Sequence, residues 1–234
     1  MILSHRHRFI FLKTNKTGGT SVEIALSRYC GPDDVITPVS ADDEALRRRL
    51  GFRSAQNHVL PLGRYGGRHW RLALRKGRRL KYYNHMPARE IRMLAGEDVW
   101  RTYFKFCFER NPWDRVLSLY FYRHPAEPRP TLDQFVDSPV VQNLKEKGAQ
   151  LYAEDGRVLV DRVCRYEDFD SELARLSADL HLPGPLEPPR AKSRASAPAA
   201  GPPVFSPRSA EEIRRLFEFE IEEFGYCLPA GSGG

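Results

Sequence analysis

Two short stretches of this chain combine residue types suited to holding phosphate. The first reads KTNKTGGTS, residues 13–21. Lys16 supplies a point charge, and Thr17, Thr20 and Ser21 supply hydroxyl donors. Gly18 and Gly19 carry no Cβ, so the backbone there can come close to an anion. The second reads RNPWDRVLS, residues 110–118. Arg110 offers a planar fork that matches a phosphate, and Ser118 adds a hydroxyl further along. Plainer readings stand beside these: Lys16 as a solvated lysine at a glycine turn, and Arg110 as an ion-pair partner of Glu109 or Asp114.

Each stretch needs flanking elements to aim it. The apolar run FIFL, residues 9–12, predicts a strand over 8–13, with a loop over 14–19 and a helix over 20–29. Strand, glycine loop and helix together point backbone N–H groups at an anion. The loop is not a Walker A motif, in which the lysine follows the last glycine; here the lysine comes first. Phe104, Phe106 and Phe108 alternate as in a strand, predicted over 100–108. Pro112 suits a first helical turn, and Val116, Leu117 and Tyr120 continue with helical spacing to residue 123. Both candidate sites thus fall at strand carboxyl ends, where open α/β sheets bind ligands. Alternating strands and helices predict a mostly parallel sheet flanked by helices.

In these two motifs, and in their order, the chain resembles sulfotransferases that use 3′-phosphoadenosine 5′-phosphosulfate (PAPS). It is most similar to the carbohydrate-type branch, sulfotransferase family 2, with the heparan 2-O- and chondroitin sulfotransferases and their bacterial relatives. RYEDF, residues 165–169, and EIEEFGY, residues 220–226, extend the resemblance to about residue 227. The resemblance implies a P-loop-like α/β fold and transfer of a sulfuryl group from PAPS to an acceptor hydroxyl, with a carbohydrate as the expected acceptor and no metal. It implies that Lys16 stabilises the leaving adenosine 3′,5′-bisphosphate (PAP). Lys13, Thr17, Gly18, Gly19, Thr20 and Ser21 would bind the 5′-phosphosulfate, and Arg110 and Ser118 the 3′-phosphate. Lys192 and Ser193 would close over the nucleotide from a lid-like loop, 183–207. This chain has AKSRASAPAAGPPVFSP there, where relatives are more aromatic.

The acceptor hydroxyl needs a base. Among seven histidines, His85 in YYNHMPARE stands where the family has its general base, ahead of the second motif. Imidazole suits that task near neutral pH. The alternative for His85 is a helix cap; His58, Glu23 and Glu90 are the other candidate bases. Arg165 and Glu167 either touch the nucleotide or brace the sheet. Trp70, Tyr82, Tyr83, Tyr122 and Tyr152 either stack on a sugar or pack in the protein.

A length of 234 residues suits one domain, expected over 1–228, with a disordered tail at 229–234. No run of eighteen apolar residues occurs, so no membrane span is expected. The first residues are too polar for a signal peptide. Four scattered cysteines without a C-x-x-C predict neither a disulfide framework nor zinc, and a cytoplasmic setting is expected. Net charge is +7, and residues 45–89 hold thirteen Lys and Arg with no acidic residue. That run is either a solvated face or a field that draws anionic ligands. No nucleic-acid-binding motif accompanies it, so nucleic acid is not an expected partner. Two rival functions remain: a P-loop-like kinase or nucleotide hydrolase, which needs a magnesium-binding Ser/Thr after Gly-Lys, and a non-catalytic module for anionic glycans. Further helices are predicted over 42–50, 87–94, 132–136, 140–147 and 172–180, with a strand over 158–165. A last helix is expected to start at a Ser209 cap with Glu212 in a capping box.

Overall fold

Alternation along the two central strands decides what each face of the sheet buries. A computed structural model of the protein describes residues 1–189 and 204–229. Strand β1 is Ile2–Ser4, β2 Phe9–Phe11, β3 Val35–Ile36 and β4 Phe104–Glu109; β5 (Ala153–Glu154) and β6 (Arg157–Val158) form a hairpin, and β7 is Arg162–Arg165. The sheet runs β3-β1-β2-β4-β7. β4 pairs in parallel with β2, Phe106 opposite Phe11, and with β7, Phe108 opposite Cys164. β1 is antiparallel to both β2 and β3. The protein is therefore a mixed α/β fold with a mostly parallel central sheet flanked by helices.

Phe9, Phe11, Phe106 and Phe108 point to one face, where helices α1 (Gly19–Ser27) and α9 (Phe169–Asp179) cover them with Val22, Leu26, Leu173 and Leu176. Ile10, Leu12 and Cys107 point to the other face. There they meet Ile91 and Leu94 of α4 (Ala88–Ala95) and Trp100 of α5 (Glu97–Thr102). Helices α2 (Ala41–Arg49) and α3 (Gly67–Lys76) lie between β3 and α4 in the chain. A third core joins α6 (Pro112–Arg123), α7 (Leu132–Val136), α8 (Pro139–Glu146), α10 (Pro207–Leu216) and α11 (Glu218–Phe224). Among the described residues no helix is long and apolar enough to cross a membrane.

Four expectations are corrected. β1 and β3 were not anticipated and add an antiparallel edge. β4 begins only at Phe104, because Glu97–Thr102 is helical with Glu97 and Asp98 in its first turn, where acids favour helix. The strand expected over 158–165 splits: Asp155 and Gly156 both take positive φ, the geometry of a tight hairpin turn, so Val158 pairs back with Ala153. The last helix is capped by Ser206, not Ser209. Pro207 takes its first turn, and the Ser206 hydroxyl accepts from the Ser209 N–H. The helix then breaks at the buried Phe217.

Candidate active site

The loop after β2 is anchored from below. Thr14 donates its hydroxyl to the Phe108 carbonyl at the end of β4, and Thr17 Oγ1 lies 2.8 Å from Thr14 Oγ1. Both threonines are buried, so the Thr17 hydroxyl is turned inward. The Lys13 ammonium is buried too, 3.0 Å from Glu23 Oε2 on α1. Glu23 also faces Arg47 Nη2 at 3.2 Å and the Met1 amine at 3.3 Å. Burial alone would raise the Glu23 carboxyl, but these cations outweigh it and hold it down to about 2.

Above this anchor the chain takes left-handed geometry at Lys16, φ 65°, and Gly18, φ 73°. Gly18 caps α1 without a side chain, so the first-turn N–H groups of Gly19 and Thr20 have no intrahelical partner. A Cβ at Gly18 would sit 3.0 Å from the Tyr166 ring, and one at Gly19 only 2.9 Å from Lys13 Cγ. Both glycines are thus required by the protein's own packing. Thr20 and Ser21 are half-buried in the first turn of α1. Lys16 Nζ lies 4.1 Å from the centroid of the exposed Tyr122 ring on α6.

The second motif forms the turn from β4 into α6. Asn111 caps α6 by accepting from the Trp113 N–H at 3.1 Å. Its own N–H donates to Glu167 at 2.7 Å and its amide donates to the Cys227 carbonyl at 2.8 Å. Glu167 therefore braces this turn, and Arg165 stacks on Tyr226 at 4.9 Å. The Arg110 guanidinium lies 4.5 Å over Tyr166, the ring that crowds Gly18. Its buried Nε has no hydrogen-bond partner among the described residues. Tyr166 is thus the common neighbour of both motifs. Ser118, half-buried, sits one turn before Tyr122 on α6, on the side that Lys16 approaches.

His85 joins the same end of the sheet. Its Nδ1 lies 2.9 Å from the Lys13 carbonyl. A carbonyl only accepts, so Nδ1 carries the proton and Nε2 keeps its lone pair. Burial, then the Lys13 charge, push the imidazole down to about 4, so it is neutral near pH 7. It caps no helix, because the N-cap of α4 is Pro87 and no side chain caps that end. Of the other candidate bases, Glu23 is held in the ion cluster and Glu90 pairs with Lys76 at 3.5 Å. His58 lies beside the Val59–Lys81 bridge, its Nδ1 buried without a partner among the described residues. Lys192 and Ser193 lie outside the described residues.

The profile of the sulfotransferase family matches residues 1–227. The chain belongs to the sulfotransferase family. An uncharacterized protein of Archaeoglobus fulgidus is 32% identical over 107 residues, 44% of this chain and 88% of the relative. No solved structure matches.

Two residues of this sulfotransferase escaped the reading of its sequence. Arg115, fully buried, donates to the Asn15 carbonyl at 2.9 Å and to Glu109 at 2.8 Å, tying the first loop to the tip of β4. Only its place inside the second motif pointed to it. Tyr166 lies within RYEDF, yet its two contacts are tertiary and leave no local signal. The described residues contain no cluster able to hold a metal ion. A cavity of about 340 Å³ lies between the β5–β6 hairpin and α11; it shares no residue with 13–21 or 110–118, though Glu220, 3.8 Å from Arg115, is in its lining.

Proposed function

We propose that this sulfotransferase moves the sulfuryl group of PAPS onto a hydroxyl of an acceptor, a carbohydrate by its resemblance to the carbohydrate-type branch. The contact that carries the reading is His85 Nδ1 to the Lys13 carbonyl, 2.9 Å. It sets a neutral imidazole beside the loop suited to phosphate, with Nε2 able to take a proton. The acceptor oxygen attacks sulfur while His85 Nε2 takes its proton. The bond between sulfur and the bridging phosphate oxygen breaks, and charge builds on PAP. Lys16 and the N–H groups of Gly18, Gly19 and Thr20 neutralise that charge. Ser21 adds a hydroxyl at the same helix end. Arg110, whose buried Nε has no hydrogen-bond partner among the described residues, and Ser118 take the 3′-phosphate. Lys13 and Thr17 shape the loop from beneath it. Lys192 and Ser193 remain proposed contacts of the lid.

Transfer of labelled sulfate from PAPS to a panel of polysaccharides, glycolipids and small alcohols tests the activity and finds the acceptor. Calorimetric titration with PAP and AMP, without magnesium, tests the nucleotide site. Tighter binding of PAP is expected; equal affinity for the two nucleotides removes the 3′-phosphate site. A requirement for magnesium points instead to a kinase or hydrolase.

A further inference from the structure

Helix α3 presents three different sides. Leu72 and Ala73 pack on the core, and His69 Nε2 lies 3.0 Å from the Met93 carbonyl. At 3.6 residues per turn, Arg68, Arg71 and Arg75 share a second side, and Trp70 and Leu74 a third. Leu74 is 78% exposed, more than any other large apolar side chain among the described residues; Trp70 is 46% and Leu62, just before the helix, 49% exposed. Arg64, Arg78, Arg79 and Lys81 flank the helix and are exposed. The catalytic proposal uses none of these residues.

We infer that α3 docks this protein onto an anionic lipid bilayer, with its arginines at the lipid phosphates and Trp70 and Leu74 entering the boundary between headgroups and acyl chains. Cationic residues around an exposed apolar ridge are the arrangement of helices that lie in that interface. Charge opposes a symmetric pair of copies joined through α3, because the two cationic faces would repel. A soluble anionic polymer would satisfy the arginines and offer a sugar face to Trp70. It would offer nothing aliphatic to Leu74, which is why the bilayer is favoured.

Tryptophan emission and co-sedimentation with vesicles test the inference together. Trp100 and Trp113 are buried, at 7% and 4% exposure, so a shift on binding reports Trp70. Vesicles of phosphatidylglycerol in phosphatidylcholine should sediment the protein and shift its emission to the blue. Pure phosphatidylcholine should do neither, and added salt should weaken the binding. Leu74→Ser should lower the partition coefficient about tenfold, and the triple change of Arg68, Arg71 and Arg75 to Gln about a hundredfold. All four side chains are exposed, so urea unfolding should confirm that the variants stay folded. Sedimentation without an emission shift, or an undiminished Leu74→Ser variant, overturns the inference. So does dextran sulfate if it produces the same blue shift and vesicles fail to compete with it, since the surface is then a site for anionic polymers.

Discussion

At the tip of β2, Lys13 is buried against Glu23 while Lys16 is carried on the Tyr122 ring. At the tip of β4, Arg115 is buried against Glu109 while Arg110 is carried on the Tyr166 ring. Each turn thus has one cation that holds the backbone and one that is presented on an aromatic face, where a cation keeps its charge available while its position is limited. The two anchors differ in balance. Glu23 faces Lys13, Arg47 and the Met1 amine, which burial lowers to about 6, and it stays ionised, held down to about 2. Burial raises Glu109, Arg115 pulls against it, and Glu220 pushes the same way as burial. Tyr152 and the Arg110 N–H also donate to Glu109, at 2.9 and 3.0 Å. One anchor is held by net charge, the other largely by hydrogen bonds.

That difference predicts the largest effect. Glu23→Gln leaves buried Lys13 without its carboxylate and Arg47 with Glu44 alone, and breaking such a buried pairing costs about 3–5 kcal/mol. Glu109→Gln keeps an oxygen for the Arg110 N–H and Arg115, and its new NH2 can donate to the Tyr152 hydroxyl, so it should cost less. Urea unfolding of both variants measures this, and the reverse order would mean that the two anchors have been assigned the wrong physics.

The two lysines separate in the same way. Lys16→Ala should lower turnover by about 10²- to 10³-fold, the scale for one lost contact to developing charge, with unfolding unchanged. Lys13→Ala should instead lower the unfolding midpoint, because it removes a buried partner of Glu23. Normal turnover of Lys16→Ala at saturating PAPS would remove Lys16 from the reaction.

Lys13 and Lys16 also mark where the sequence stops being legible. Both motifs, the helix over 112–123 and the phenylalanine alternation in β4 could be read directly, because each is a local pattern several residues long. β1 and β3 were missed because three and two residues are too few to show alternation. Which lysine faces outward depends on Glu23, a partner one turn into the next helix. The need for glycine at position 18 comes from Tyr166, far away in the chain. Arg115 has no local signal of its own, since nothing near it in sequence shows that it meets the Asn15 carbonyl and Glu109.

Arg110 offers a smaller and more selective test. Its loss should weaken PAP binding by roughly tenfold to a hundredfold, as for a charge-assisted contact of about 1.5–3 kcal/mol. AMP lacks the 3′-phosphate, so its binding should hardly change. Ser118→Ala should act in the same sense but more mildly. Equal weakening of both nucleotides would show damage to the turn itself, through Asn111 and Tyr166, and not loss of a phosphate contact.

The smallest effect belongs to His85, which meets the first region at the Lys13 carbonyl. Its imidazole is held at about 4 against an ordinary value of 6.5. The unfolded chain therefore takes up this proton first as pH falls, which favours unfolding. The stability is present above pH 6.5 and is lost progressively between there and pH 4. From pH 7 to 5.5 the loss from this one group is about 1 kcal/mol, since each pH unit inside the window is worth about 1.4 kcal/mol. Other groups titrate in the same range, so the comparison must be wild type against His85→Gln, in which their contributions cancel. Urea unfolding at several pH values should show the two stability curves converging as pH falls from 7 to 5.5. Parallel curves would mean that His85 is as easily protonated in the folded protein as in the unfolded chain. The neutral imidazole assigned to the base would then have no support from its surroundings.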